Sequence, residues 1–463
     1  MNTKKNKRLW TIDAAGLLCL LLSAADASAF PTDPGPSLNV PVVYYKLNNG
    51  LKVVLSQNKT APTIAVGVYY NIGFRIEPKN RTGFAHLFEH MMFQGSQNLG
   101  KMEFVRLVQK NGGTLNGSTR FDFTNYFEVM PAHKLETALW AEADRMKGLA
   151  ITQANLTNQQ GVVKNEVKVN VLNQPYGGFP WLDMPQYANE NWYNAHNFYG
   201  DLNDLDSAKL EDVDSFFKTY YAPNNAVVVV MGDFEITDAK KWVEQYFSVI
   251  PSSNLPAKPD IAEPRQEKEK RSVKEDKLAN KPAIAIGYKM PEKNTPEYFA
   301  MGLIDQMLIE GNDSKLYQSL VQEKGYTSAV NGGINYLGNM FDYNGPMLFM
   351  SDCIYDSTVK PEAIIAEYDK AIGQLDKVTQ ADLDLAIIKM RSNLYDMIGG
   401  GLGIGKLNIL ASFALFYDNP SMINTLEDNF KKVTPELIRK TAKEYLRTTN
   451  RTILIVDPKA PKS

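Results

Sequence analysis

The residues with the clearest capacity for chemistry lie in one short stretch, Gly83-Phe-Ala-His86-Leu-Phe-Glu89-His90-Met-Met-Phe93. On a helix, His86 and His90 stand one turn apart at i and i+4, so their imidazoles project side by side and can share one tetrahedral metal ion. Glu89 lies on the neighbouring edge of the same face, where a carboxylate reaches a water molecule at the metal's open position without being a ligand. Phe84, Leu87, Phe88, Met91 and Met92 make the rest of the segment apolar. That pattern predicts a largely buried helix whose polar triplet needs partners, and a metal supplies them. The chain holds four histidines in all, so two in a single turn are a concentrated signal. The chemistry predicted is metal-assisted hydrolysis with Glu89 as general base.

Zinc in a catalytic site usually takes three protein ligands and keeps one position open. Glu166, the one carboxylate between Asp144 and Asp183, is the leading candidate for the third. His133, ahead of a helix, and His196, in a loop-like stretch, have no ligand spacing and read as structural. A second glycine-rich segment, Gly400-Gly-Leu-Gly-Ile-Gly405-Lys406, fits the phosphate-loop spacing, but Leu407 stands where that loop needs Ser or Thr, and 382–397 reads as a helix where a strand is required. A flexible loop is the better reading.

The elements that must position these groups are legible by periodicity and turn chemistry. Residues 42–56 read as a hairpin with Asn48-Asn49-Gly50 at the turn, and 63–70 as a strand. Residues 83–95, 102–111, 134–149 and 158–172 read as helices, 113–129 is strand-like, and 226–231 is a buried strand. The pattern then repeats. Pro62-Thr-Ile-Ala-Val-Gly67 recurs as Pro282-Ala-Ile-Ala-Ile-Gly287, and Leu107-Val-Gln-Lys-Asn-Gly112 as Leu320-Val-Gln-Glu-Lys-Gly325. Lys218, Tyr220 and Asn225 recur as Lys443, Tyr445 and Asn450. These matches keep one order, at offsets of 220, 213 and 225 residues, and predict a duplicated domain. The fold class expected is α+β: two homologous domains, each a mainly antiparallel sheet with helices packed on one face. Residues 40–250 form the first, metal-binding domain, the proline- and charge-rich stretch 251–281 a linker, and 282–463 the second domain.

The second copy lacks the chemistry. Leu303–Gly311 aligns on Leu87–Gly95 at an offset of 216, which puts Gly302, Asp305 and Gln306 where the first copy has His86, Glu89 and His90. The second domain therefore reads as a wall or substrate-binding half.

Composition bounds the rest. A chain of 463 residues, 44% hydrophobic and 22% charged, is an ordinary globular protein, and a net charge of −2 excludes a strongly basic nucleic-acid binder as the default. Residues 1–29 combine a basic head (Lys4, Lys5, Lys7, Arg8), an apolar run and the small-residue site Ala27-Ser28-Ala29. They read as a secretory signal peptide cut before Phe30, so the mature protein is expected in the periplasm or secreted, with no transmembrane segment. Removing them leaves Cys353 as the only cysteine, so the mature monomer has no disulfide.

Taken with these motifs, the sequence resembles the pitrilysin and insulysin family of zinc peptidases, marked by the inverted motif His-x-x-Glu-His, and within it the half-length, bacterial-type members similar to mitochondrial processing peptidase subunits. The family's metal-binding Glu lies downstream of the motif, and here 166 − 90 = 76 residues separate Glu166 from His90. Tyr220-Tyr-Ala-Pro-Asn-Asn225 and Gly232-Asp233 extend the resemblance along the chain. It implies that His86, His90 and Glu166 ligate Zn2+, that Glu89 is the general base, and that peptides are the substrates. It also implies a partner, as a homodimer or as a heterodimer with a related chain. Gly112–Thr119 resembles the family's edge strand beside the zinc, where substrate adds as a further strand. Asn116 is there a candidate substrate contact, with an ordinary polar strand or turn residue as the alternative. One departure is Gln159, where the family often carries a second Glu; its neutral amide can orient Glu166 but supplies no charge. The family also contains degenerate members, so the alternative function is a noncatalytic peptide-binding subunit of a peptidase complex. The intact His86, Glu89, His90 and Glu166 argue against it.

Overall fold

The hairpin predicted at Asn48-Asn49-Gly50 opens the first sheet of the computed structural model, which describes residues 37–400 and 403–458; the proposed signal segment lies outside the described residues. Strands β1 (Val43–Lys46) and β2 (Lys52–Gln57) pair antiparallel, with Val43 opposite Leu55 and Lys46 opposite Lys52. Gly50 takes φ +86°, and a Cβ there would lie 2.8 Å from Asn224 Cβ, so both the turn and the close approach require glycine.

The first half continues with β3 (Thr63–Tyr70), α1 (Phe84–Met91), α2 (Glu103–Lys110), β4 (Thr114–Thr119), β5 (Thr124–Pro131), α3 (Leu135–Lys147) and α4 (Gln153–Val167). Short helices α5 (Asp183–Ala188), α6 (Trp192–Ala195) and α7 (Leu202–Ser207) lead to α8 (Leu210–Tyr220), β6 (Ala226–Gly232) and α9 (Ile236–Phe247). The second half comprises β7 (Lys270–Asp276), β8 (Ala283–Lys289), α10 (Pro296–Leu308), β9 (Asn331–Ile334), β10 (Leu348–Ile354) and α11 (Pro361–Gly373). It ends with α12 (Gln380–Gly399), α13 (Ile404–Tyr417), α14 (Leu426–Lys431), α15 (Pro435–Tyr445) and β11 (Arg451–Pro458).

The strand orders are β1-β2-β6-β3-β5-β4 and β7-β11-β8-β10-β9. In each sheet one pair is parallel, β2 with β6 and β7 with β11, and the other pairs are antiparallel. Apart from β1, the two sheets have one topology, which is the α+β duplication expected from the sequence. The repeated Tyr and Asn make the same bond in both copies: Asn225 Nδ2 donates to Tyr220 O at 2.8 Å, and Asn450 Nδ2 to Tyr445 O at 2.7 Å.

Three differences from the sequence reading have physical causes. Strand β7 lies inside the stretch read as linker. It occupies a sheet edge, and the alternation of exposed and half-covered positions along Lys270–Asp276 explains why its sequence is mostly charged. Helix α4 begins at Gln153, five residues before the expected start, because Thr152 caps it by accepting from Asn155 N at 3.2 Å. The helices of each half pack on one face of its own sheet, and the opposite face is covered by a helix from the other half: α13 lies on β2, β3 and β6, and α5 on β7, β8 and β11. The duplicated glycines mark the crossings. A Cβ at Gly67 would lie 2.9 Å from Leu407 on α13, and one at Gly287 would lie 3.4 Å from Met184 on α5.

The first core joins Val53, Val66, Val68, Val228 and Val230 of the sheet to Leu87 and Phe88 of α1 and Leu139 of α3. The packing holds α1 against β4 and β5, and so fixes the motif at one end of the sheet. Cys353 is buried and unpaired, and burial pushes its thiol up to about 12, which makes it inert. Among the described residues, no single helix is long and apolar enough to cross a membrane.

Candidate metal centre

Helix α1 is buried on Phe84, Ala85, His86, Leu87, Phe88 and Met91, as its apolar sequence predicts, and leaves His90 and Glu89 half-buried. His86 and His90 turn their Nε2 atoms toward each other at 3.3 Å. Glu166, on the last turn of α4, meets both: Oε1 is 3.6 Å from His86 Nε2 and Oε2 is 3.2 Å from His90 Nε2. The donor atoms of His86, His90 and Glu166 all lie within 4.8 Å of one another. The structure thus brings these three residues together, with His133 exposed and not part of the cluster and His196 engaged elsewhere.

The electrostatics suit a cation. Burial pulls the His86 imidazole down to about 4, so it is neutral and able to ligate at ordinary pH. Glu166 is held below the usual carboxylate range, first by its hydrogen bond with His90. Glu89 is pushed the other way by burial, against the hydrogen bond it accepts from Thr119 Oγ1 at 2.8 Å on Oε2. Two imidazole nitrogens and a carboxylate converge on one point, an arrangement that a cation can bridge. That donor set, two nitrogens and one oxygen, fits a three-ligand zinc site. The other ring nitrogen of His86 is buried without a hydrogen-bond partner. Its ring is set instead by packing against Phe198 at 5.3 Å and Tyr199 at 5.2 Å.

Tyr199 is a site residue that the sequence did not reveal. Its hydroxyl donates to Glu166 Oε1 at 3.4 Å, the orienting contact that Gln159 was expected to supply. Gln159 is buried, but its amide donates to Asn158 Oδ1 at 2.8 Å. Thr119 could have been found from its strand register, since it ends β4 on a buried position. Nothing local marks Tyr199, 33 residues from its partner. Asn116 is exposed on β4, the outermost strand of the sheet, and its Oδ1 accepts from Gly117 N at 2.9 Å. The glycine-rich segment at Gly400 follows helix α12, and α13 begins at Ile404, so it lacks the strand that a phosphate loop requires.

At the duplicated position Gln306 stands in place of His90, and its Oε1 accepts a hydrogen bond from Asn393 Nδ2 of α12 at 2.9 Å. Asp305, in place of Glu89, is buried, and burial pushes its carboxyl well up. The residues border a cavity of about 540 Å³ in which no imidazole is present.

Two copies of one α+β unit, one carrying the inverted motif and the other stripped of it, define the architecture of a duplicated metallopeptidase-like chain. Residues 52–191 match the family model described as Insulinase (Peptidase family M16), and residues 207–390 match Peptidase M16 inactive domain. The chain belongs to the M16 peptidase family. It is 27% identical to the Zinc protease PqqE of Helicobacter pylori over 422 residues, 89% of this chain and 92% of that protein. It is 26% identical over 200 residues to Mitochondrial-processing peptidase subunit beta of Mus musculus, 43% of this chain and 40% of that protein. The crystal structure of a protease from Helicobacter pylori superposes with a TM-score of 0.83 at 25% identity, covering 91% of this chain and all of that one.

Proposed function

We propose that this protein is a zinc metalloendopeptidase that hydrolyses peptide bonds in peptides or unfolded segments. The observation that carries the reading is the convergence of His86, His90 and Glu166 on one point, with Glu89 on the same helix. His86 Nε2, His90 Nε2 and a Glu166 oxygen would hold the ion. When bound, zinc supplies Lewis-acid activation of water and of the scissile carbonyl.

The remaining work falls to the chain's own residues. Glu89 accepts a proton from the attacking water and passes it to the leaving amine. Thr119 fixes one carboxylate oxygen of Glu89 and leaves Oε1 for that proton. Burial raises the basicity of Glu89, which suits a group that must both take and give a proton. Substrate backbone adds along the free edge of β4, where Asn116 offers an amide to it. Tyr199 steadies Glu166 through its hydroxyl.

The relative named as a processing-peptidase subunit supports a reading in which this chain works with a partner, either a second copy or a related chain. The basic head, apolar run and small-residue site of residues 1–29 support export to the periplasm or beyond. The test is removal of metal by a chelator followed by zinc addition, with hydrolysis of an unfolded peptide as the readout. Loss and recovery of hydrolysis supports the enzyme. Zinc-independent peptide binding without hydrolysis returns the function to a noncatalytic peptide-binding subunit.

A further inference from the structure

Helix α1 has no capping side chain at its own N-cap, Gly83, which sits at φ +82°. The cap comes from Glu77. Its Oε2 accepts from Gly83 N at 2.8 Å and its Oε1 from Ala85 N at 2.6 Å, immediately ahead of His86. A carboxylate there satisfies two of the helix's free donors and opposes the positive end of its dipole. Glu77 is completely buried, and it is paired with His196, whose Nε2 lies 3.8 Å from Glu77 Oε2 and whose side chain is 6% exposed.

The hydrogen bonds of His196 state its charge. Nδ1 faces Trp192 O at 3.0 Å and Nε2 faces Phe74 O at 2.6 Å. Carbonyl oxygens only accept, so each ring nitrogen must carry a proton; a bare nitrogen would set lone pair against lone pair. The ring is stacked on Trp192 at 4.3 Å with an interplanar angle of 9°. Burial pulls the imidazole down, and the hydrogen bond and charge of Glu77 together with the two carbonyls more than offset it, so the net direction is up.

The same loop reaches the other metal-bearing helix. Three residues beyond His196, Tyr199 donates to Glu166. The loop is pressed against the start of α1: a Cβ at Gly83 would lie 2.6 Å from Tyr199 O, and one at Gly200 would lie 2.3 Å from Gly83 N. Asp201 N donates to Thr82 Oγ1 at 2.8 Å. Two histidines on α1 and one glutamate on α4 must meet at a point, and one loop touches both helices.

We infer that Glu77 and His196 form a buried charged pair that acts as a positioning device for the metal centre, with the loop from His196 to Asp201 setting the spacing between the histidine helix and Glu166. The inference rests on the zinc-peptidase reading and assigns roles to residues that do not ligate. Neither Glu77 nor His196 touches substrate or metal. They act through α1.

The test uses the full mature chain. In metal-free protein labelled with ¹⁵N-histidine, both ring nitrogens of His196 are expected in the protonated range at pH 6.5, and a neutral ring there overturns the inference without any variant. Zinc affinity is then read by competition with a chelator in the wild type, Glu77→Gln and His196→Gln. The expected result is binding weaker by about 10- to 100-fold in each variant. At saturating zinc, KM should stay near the wild-type value while kcat is partly restored. Variants that melt earlier yet bind zinc as tightly as the wild type show a merely structural pair and overturn the inference. A wild type that binds no zinc overturns the wider reading and this inference with it, whereas failure of the inference alone requires a wild type that binds zinc.

Discussion

Thr119 Oγ1 donates to Glu89 Oε2 at 2.8 Å, joining the edge strand to the histidine helix at the carboxylate assigned the proton transfer. The strand proposed to receive substrate and the helix proposed to carry the base are thereby held in one register. Hydrogen bonds to charged groups contribute about 1.5–3 kcal/mol. Thr119→Val should therefore lower kcat by roughly 10- to 100-fold with little change in KM. Thr119→Ser, which keeps the hydroxyl, should retain most of the rate. Steady-state kinetics on the three proteins check this.

Tyr199 is the one hydroxyl on Glu166 among the described residues. Tyr199→Phe keeps the ring packed on His86 and removes only that contact. Zinc should dissociate more readily, with affinity weaker by about 10-fold, and the melting temperature of the metal-free protein should change little. Chelator competition and calorimetry separate the two effects.

Metal stoichiometry follows from the duplication. Gln306 stands where the first half has His90 and is hydrogen-bonded to Asn393, and an amide pair is a poor zinc site. Elemental analysis should give one zinc per chain. His90→Ala should abolish it and Gln306→Ala should leave it unchanged.

The two halves are also tied by charge. Lys52 donates to Ala414 O and Leu415 O at 3.1 and 2.7 Å, and Asp418, just past α13, sits 3.0 Å from both Lys46 and Lys52 and accepts from Tyr44 at 2.9 Å. Burial pushes the Asp418 carboxyl up, but its bonds with Lys52, Lys46 and Tyr44 outweigh this and bring it down to about 2. With a depressed folded value, its contribution is complete above the unfolded carboxylate value of about 3.9 and is lost as pH falls through about 2. Because the side chain is 52% exposed, solvent screening keeps the contribution below about 1 kcal/mol. Asp418→Asn should melt a little earlier than wild type at pH 7, and the gap should close near pH 2 in thermal scans.

Much of this was legible in the chain itself, for reasons that differ by residue. The i, i+4 spacing of His86 and His90 survives any detail of packing, and Glu166 was conspicuous as an isolated carboxylate. The duplicated Pro-x-Ile-Ala-x-Gly segments carried the fold, and their glycines mark where Leu407 and Met184 cross the sheets. The exchange of α5 and α13 between halves was not legible, because an apolar helix does not state whose sheet it covers. Tyr199 and Glu77 escaped notice for the same reason: a hydroxyl and a carboxylate gain their roles only when distant segments close on α1 and α4. Strand β7 was hidden by its own position, since an edge strand with a wet face is written in lysines and glutamates.

The most direct measurement is zinc content and peptide hydrolysis in wild type and Glu89→Gln, made on the same preparations. Glu89 is assigned the proton and not the metal, so the account predicts one zinc per chain in both proteins and a fall in kcat/KM of roughly 10²- to 10⁴-fold in the variant. A variant that hydrolyses peptide as fast as the wild type, or a wild type that binds no zinc, would contradict it.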